Sequence, residues 1–386
     1  MKNSTNVSNL NWVFCLASLV WVLCSCQEKN SNNASRTEIN TLNLKYAEGF
    51  EIEYHKGFKL LRVIHPWKDA QQEFTYILGQ GILKEDLEIH YDAFVELPVR
   101  RLVCTSTSHL PMLEMLGHPE ALIGFQSTSF ISSETFTRKA EEGLLTDVGM
   151  SSGLNIEKLI ELNPQLVINY ATGNEFDQLE ILKRSGIPYM LNADYMEKSP
   201  MGRAEWIKFF AAFFDEEQLA DSIFSAIENN YNQMVSNVSN ITKKPSVFTG
   251  VMYGDTWFLP GGKNYASRFF EDAGAQYIWA ESMEDGWLEL GFESVYDRAS
   301  EADYWLGCAS FNSLEEIENT DSRYALFDAF KTKNIYNYNA RLGKNGGNSY
   351  LELGYARPDI ILSDLIHILH PELMPDHELF FYKALE

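Results

Sequence analysis

The chain has 386 residues, of which 45% are hydrophobic, and 54 acidic residues against 31 Lys and Arg give a formal net charge of −23. This composition excludes a disordered chain, and the length favours two domains or lobes over a single one. The acidic balance, without any basic cluster, argues against nucleic acid or an anionic membrane surface as a direct partner.

The first 26 residues predict a signal for export and anchoring. An apolar run from Trp12 to Leu23 is too short to cross a bilayer as a helix, but it fits the core of a signal peptide. It ends in LCSC, which resembles the site where a bacterial lipoprotein signal is cut before an acylated cysteine. We therefore expect residues 1–25 to be removed, Cys26 to carry the lipid, and residues 26–40 to form a polar, flexible tether. An uncleaved membrane anchor and an ordinary secretory signal are the alternatives.

Residues 41–98 are predicted to form a β-rich segment of their own. Residues 50–55 alternate apolar and polar side chains, which is the period of a half-buried strand. Residues 58–64 and 74–78 are further predicted strands.

From residue 99 the pattern changes to strands that alternate with helices. This rhythm occupies residues 99–200 and returns over residues 242–386, where the last two predicted helices are 358–369 and 377–385. Alternation of this kind predicts a mainly parallel sheet covered by helices in each half.

Residues 201–241 interrupt the alternation. Their apolar residues recur at helical spacing, and Pro is absent, so the pattern predicts one long helix that would break, if anywhere, at Asp215. The predicted fold is α/β, with two Rossmann-like lobes bridged by one long rigid helix and preceded by a β-rich N-terminal extension.

Each half places an acid in the first turn of a predicted helix that leads into a strand. These acids are Glu157 and Glu293. On spacing alone, the simpler explanation is that each carboxylate complements a helix dipole. The alternative is one exposed carboxylate on each lobe that accepts an Arg of a partner protein.

A family resemblance covers the chain from about residue 99 to its end. The motifs that carry it are, in order, RRLVCTSTSHLPMLEMLG, LNIEKLIELNPQLVIN, FLPGGKN, FFEDAGAQ, FESVYDRASEADYWL and ARPDIILSDLIHILHPEL. In this order they resemble the vitamin B12, ferric-siderophore and haem class of periplasmic binding proteins, which deliver ligands to ABC importers. The resemblance implies a ligand cleft between two lobes, a permease dimer as partner, and Glu157 and Glu293 as the docking acids. Residues 41–98 lie outside the resemblance.

The cleft is expected at the carboxyl ends of the strands, where α/β sheets bind ligands. Tyr and Trp there suit planar or aromatic ligands, and Arg suits a carboxylate or an anionic chelate. The predicted ligand-binding residues are Thr107, His109, Tyr170, Tyr195, Tyr253, Trp257, Trp287, Tyr338 and Arg341. His109 is also the candidate axial ligand for haem. Arg203 either braces the long helix or contacts the ligand.

Resident metals and cofactors are not predicted. His367 and His370 share a helical face, but they lie in an apolar helix, which favours a structural role. Cys104 and Cys308 are expected to be buried free thiols.

The predicted function is that of a lipid-anchored, monomeric solute-binding protein on the periplasmic side of a bacterial membrane. It would bind an iron chelate (a ferric siderophore or haem) or a corrinoid, and it would not be an enzyme. Two alternatives stay open. One is a Zn- or Mn-binding protein, and the other is an exported hydrolase with Asp255 and Glu293 as an acid–base pair.

Overall fold

The computed structural model describes residues 40–82, 87–150, 153–170, 173 and 176–386. The predicted signal peptide, Cys26 and the tether up to residue 39 lie outside these residues. Within the described ranges, no helix has both the length and the apolar character that crossing a membrane requires.

The N-terminal extension is a five-stranded sheet in the order β1-β2-β3-β4-β5, antiparallel except for the parallel pair β4 and β5. Its strands are β1 Asn40–Thr41, β2 Phe50–His55, β3 Phe58–Val63, β4 Phe74–Gly79 and β5 Ala93–Glu96. In β2, Phe50 and Ile52 are buried while Glu51 between them is exposed, which confirms the predicted alternation.

The first lobe contains a parallel sheet in the order β12-β11-β6-β7-β8 and a separate antiparallel pair, β9 and β10. The strands are β6 Leu102–Cys104, β7 Leu122–Phe125, β8 Thr146–Asp147, β9 Gly149–Met150, β10 Gly153–Leu154, β11 Leu166–Tyr170 and β12 Tyr189–Asn192. The helices are α1 Leu110–Met115, α2 Glu134–Glu141, α3 Ile156–Leu162 and α4 Phe176–Arg184. Helix α3 begins where the Asn155 side chain caps the amide of Lys158, and it ends at Asn163, whose φ is 44°.

Three helices link the lobes where the sequence predicted one. They are α5 Pro200–Glu205, α6 Ile207–Ala211 and α7 Glu217–Val238, of which only α7, with 22 residues, is long. The second interruption contains Asp215 in the left-handed region (φ 58°), at the predicted break. The break at Trp206 was not predicted. Trp206 is fully buried against Phe50 and Phe209, so tertiary packing overrides the helical periodicity there.

The second lobe combines a sheet in the order β16-β13-β18-β19-β20, parallel except for β20, with the antiparallel sheet β14-β15-β17. The strands are β13 Ser246–Phe248, β14 Val251–Tyr253, β15 Thr256–Pro260, β16 Gln276–Tyr277, β17 Trp287–Leu290, β18 Tyr304–Leu306, β19 Ile335–Asn337 and β20 Lys383–Ala384. The helices are α8 Tyr265–Asp272, α9 Phe292–Ala299, α10 Leu314–Thr320, α11 Asp328–Lys331, α12 Ser349–Ala356 and α13 Pro358–Leu369.

The helix predicted over residues 377–385 is wrong. This segment is extended and ends in β20. The carboxylate of Asp364, which is fully buried in α13, accepts the backbone N–H groups of Phe380, Phe381 and Tyr382. Because a buried carboxylate needs donors, these long-range bonds fix the segment in a conformation that its own sequence does not specify.

Buried carboxylates also attach the extension to the linking helices. Glu205 is fully buried and accepts the backbone N–H groups of Lys45, Tyr46 and Ala47 at 2.8–3.0 Å, together with the ammonium group of Lys208. The neighbouring carboxylate, Glu197, accepts the amides that follow, at residues 48 and 49. The extension and the linking segment therefore share one hydrogen-bonded core.

Replacing Glu205 with Ala tests this attachment. The change leaves one buried and two partly buried N–H groups without their acceptor and removes one of the two ion pairs of Lys208, so we expect the free energy of unfolding to fall by about 3 kcal/mol. Denaturant-induced unfolding measures the change. Glu301→Ala, at an exposed position, is the control, and an equal effect of the two substitutions would contradict the assignment.

Candidate functional site

The strand ends of the first lobe present a pair of tyrosines. Tyr170 ends β11 and is 38% exposed, and its ring lies edge-to-face against that of Tyr195 with 4.8 Å between the centroids. Tyr195 lies in the turn that follows β12, and Thr107 lies half-buried in the turn that follows β6. These predicted residues therefore form part of one surface at the carboxyl edge of the sheet.

The second lobe exposes large aromatic side chains on its small antiparallel sheet. Tyr253 in β14 is 83% exposed and Trp287 in β17 is 62% exposed. Met283, just before β17, is 79% exposed. Large apolar groups that remain in water in a folded chain typically mark a binding surface.

An ion pair joins the two lobes close in sequence to these aromatic residues. The ammonium group of Lys198, shortly after Tyr195, lies 2.8 Å from the carboxylate of Asp285, shortly before Trp287. Through this hydrogen bond Lys198 lowers the pKa of Asp285, while Asp285 raises the pKa of Lys198. The ion pair thus connects the segment that follows Tyr195 in the first lobe to the segment that precedes Trp287 in the second.

Arg203 is buried at this junction and contacts residues of both lobes. It is 6% exposed, its Nη2 donates to the carbonyl of Tyr195 at 2.9 Å, and its guanidinium lies over the ring of Tyr265 at 3.3 Å and that of Tyr355 at 4.3 Å. Both rings belong to the second lobe. Of the two predicted roles for Arg203, the structure favours the bracing one, because the cation is stacked between lobes rather than open to a ligand.

Trp257 is not a ligand-binding residue, so this prediction is corrected. The side chain is fully buried, its indole N–H donates to the carbonyl of Thr249 at 3.0 Å, and it packs against Phe248, Trp305 and Tyr324. It was assigned to the cleft because it follows the predicted strand 246–251, whose carboxyl end was expected to face the ligand.

His109 is also withdrawn as a cleft residue and as a haem ligand. It is fully buried under α12, with its ring 5.5 Å from that of Phe210. Burial lowers the pKa of His109 to about 3, so the ring is neutral at physiological pH. The side chain is part of the packing between the first lobe and α12.

Tyr338 and Arg341 keep their predicted roles as hypotheses. Tyr338 is half-buried and stacked on Tyr350 at 4.5 Å, and burial raises the pKa of Tyr338 to about 12. Arg341 is exposed, but its Nε donates to the carbonyl of Phe380 and its guanidinium lies over that ring.

A second contact between the lobes is made by a buried carboxylate that accepts hydrogen bonds. Glu352 in α12 accepts the backbone N–H groups of Ser132 and Ser133, both at 2.8 Å, from the first lobe. The hydroxyl of Ser133 in turn donates to Glu114. Burial, with a smaller contribution from the negative charge of Glu114, raises the pKa of Glu352 to about 7. We name Glu352, Ser132 and Ser133 the interlobe clasp.

The predicted docking acids are exposed and lie on different lobes. Glu157 is in the first turn of α3 and Glu293 is in the first turn of α9. Neither forms a salt bridge with any residue in the described part of the chain.

No cluster of three or more His, Cys, Asp or Glu side chains that could hold a metal ion occurs in the described ranges. His367 bonds to the carbonyl of Met374, and His370 is buried facing the carbonyl of Gly274. Both therefore have structural roles, and Cys104 and Cys308 are buried free thiols, as predicted.

Comparison with known proteins identifies the family. The family described as Periplasmic binding protein matches residues 102–342, more than half of the chain, and the chain therefore belongs to it. An uncharacterized lipoprotein of Methanocaldococcus jannaschii is 25% identical over 388 residues, which cover 92% of this chain and 90% of the relative.

Two further proteins resemble parts of the chain. A vitamin B12-binding protein of Vibrio parahaemolyticus is 25% identical over 210 residues, 53% of this chain and 70% of that protein. The solved structure of a periplasmic haem-binding protein of Vibrio cholerae has a TM-score of 0.53 at 17% identity, covering 68% of this chain and 99% of that one. The structural likeness confirms the two-lobed α/β fold.

Several site residues were not predicted from the sequence. Tyr265 and Tyr355 stack on Arg203, and Lys198 pairs with Asp285. Tyr265 directly follows the FLPGGKN motif, which was the one available signal. The ion pair joins residues far apart in sequence, which no local pattern reveals.

The interlobe clasp makes stability depend on pH. The pKa of Glu352 rises from its ordinary value of 4.5 to about 7 in the folded protein, so between these values the folded state holds a proton that the unfolded chain releases. This contribution to stability is full below pH 4.5 and is lost as the pH rises through 7. With Glu352→Gln we expect the fall in unfolding free energy between about pH 5 and about pH 7.5 to shrink by on the order of 2 kcal/mol.

Denaturant unfolding at the two pH values measures this difference. Glu142→Gln, at an exposed position on the first lobe, is the control for removal of one acid. The same pH dependence in wild type and Glu352→Gln would show that Glu352 does not titrate in this window.

Proposed function

We propose that this protein is the solute-binding component of an ABC importer and that it captures an iron chelate (a ferric siderophore or haem) or a corrinoid between its lobes. The observation that carries the proposal is the exposure of Tyr170 on the first lobe and of Trp287 on the second, together with the ion pair of Lys198 and Asp285 close to Trp287 in the chain. Family membership supports solute binding as the activity, and catalysis plays no part in it.

The chemistry of this junction supports a large, planar or aromatic ligand. Tyr and Trp combine a broad apolar face with one polar group, so they bind ring systems and still tolerate water when the site is empty. The B12-binding relative and the haem-binding structural neighbour carry names that agree with a tetrapyrrole-like ligand.

Delivery to a permease is the second part of the proposal. Glu157 and Glu293 each present one exposed carboxylate from a different lobe, without a salt bridge to any described residue, which suits a symmetric permease dimer with an Arg on each subunit. Acylation of Cys26 would hold the monomeric protein near that permease, on the periplasmic side of the membrane. The lipoprotein relative supports the anchor.

Ligand binding can be measured by quenching of intrinsic Trp fluorescence with haem, cyanocobalamin and a ferric hydroxamate. We expect one of these chelates to bind with a dissociation constant below micromolar. Trp287→Ala and Tyr253→Ala should each weaken that binding about tenfold, because each removes an aromatic contact.

Tyr91→Ala is the control, since Tyr91 packs on Phe94 within the N-terminal sheet. If none of the chelates binds while Zn²⁺ does, the proposed ligand class is overturned.

Docking is tested by charge reversal at both acids. The double variant Glu157→Arg, Glu293→Arg should abolish uptake of the bound chelate and leave its dissociation constant unchanged, because the substitutions repel the permease without touching the ligand. The matched control is Glu161→Arg with Asp297→Arg, on the same two helices at exposed positions. Uptake at the wild-type rate in the first variant would contradict the docking assignment.

A further inference from the structure

The loop between β3 and β4, residues 64–73, extends from the N-terminal sheet to the first-lobe aromatic surface. Its half-buried Trp67 lies against Gly173, close enough that a Cβ atom at Gly173 would be 2.9 Å from Cδ1 of the indole. Gly173, whose φ is 96°, follows Tyr170 in the chain, and Tyr170 is in ring contact with Tyr195. Trp67 therefore extends the surface that these tyrosines form.

The same loop approaches the second lobe. Asp285, which forms the ion pair with Lys198, also experiences the positive charge of Lys68, the residue that follows Trp67. Lys68 is exposed. The aromatic residue of the loop thus contacts the first lobe, and the charge of its exposed cation acts on Asp285 of the second lobe.

The loop is held in this position by the sheet that carries it. Trp67 packs on Phe74 at the start of β4, and its carbonyl accepts the amide of Ala70. In β4, the hydroxyl of Tyr76 accepts the backbone N–H of Leu191 in β12 at 3.0 Å. The extension is therefore fixed to the strand that leads to Tyr195.

A cavity beside the ion pair is lined by the extension as well. Its volume is about 400 Å³, which is in the range of small-ligand sites. Tyr46 and Glu48 of the extension line it together with Lys198, Tyr231 of α7 and Arg268 of α8. The extension therefore contributes both to the rim of the junction and to the enclosed space next to it.

We propose that the N-terminal extension forms a third wall of the ligand site, where Trp67 stacks on the ring system of the ligand and Lys68 and Lys198 bind an anionic group of that ligand. This inference rests on the proposed function and narrows it to a planar chelate with carboxylates at its edge. Asp285 accepts from Lys198 and also experiences the charge of Lys68, so an anionic group of a ligand at this point can compete with Asp285 for both cations.

The test uses haem, which is planar and carries two carboxylates, and cyanocobalamin, whose corrin periphery is amidated. We expect Trp67→Ala to weaken haem binding about tenfold and Trp67→Phe to restore most of it, since Phe keeps the stacking face. Lys68→Glu should weaken haem binding about fivefold. Lys56→Glu, at the opposite end of β3, has the same charge change and should leave binding unaltered.

Thermal unfolding of each variant separates loss of contact from loss of fold. Because Lys68 is exposed, Lys68→Glu should have the melting temperature of the wild type even if Trp67→Ala is destabilised. If haem binding is unchanged in both Trp67→Ala and Lys68→Glu, the N-terminal extension does not contact the ligand. That result would leave the proposed function intact. Tight binding of cyanocobalamin but not haem would overturn the anionic-ligand part. If the wild type binds no chelate, the proposed function and this inference fall together.

Discussion

The arrangement of this protein depends on buried carboxylates that accept backbone N–H groups from distant parts of the chain. Glu205 and Glu197 hold the N-terminal extension on the linking helices, and Glu352 holds the first lobe against α12. Such groups are costly to bury without donors, so each one fixes the position of the segment that supplies them. The positions of the lobes and of the extension follow from these contacts, and the proposed site lies beside them.

The proposed function rests on the side chains that this framework leaves exposed. Tyr253 and Trp287 remain in water on one lobe, and Tyr170 lies on the other, while Arg203 fills the space beneath with a stacked cation. The polar fastening at Lys198 and Asp285 lies at the surface, where an ion pair is weak and can open. In the proposed site, the exposed ion pair can therefore open to admit a large ligand while the buried packing around Arg203 stays unchanged.

Local periodicity was sufficient to predict the α/β fold, the β-rich extension and the exposure of Glu157 and Glu293. It failed where tertiary contacts decide the outcome. Trp206 interrupts the predicted long helix because it packs into the aromatic core, and residues 377–385 are extended because Asp364 binds their amides. Trp257 and His109 were assigned to the cleft because they lie near strand ends, but which aromatic residues find partners depends on long-range packing. Trp67 was missed because it lies outside the family resemblance.

A crystal structure of the complete chain grown with the tightest-binding chelate tests the central claim most directly. We expect ligand density between Tyr170 and Tyr195 on one side and Tyr253 and Trp287 on the other. Density for the ligand elsewhere on the molecule, with these four side chains still in solvent, would contradict the placement of the site between the lobes.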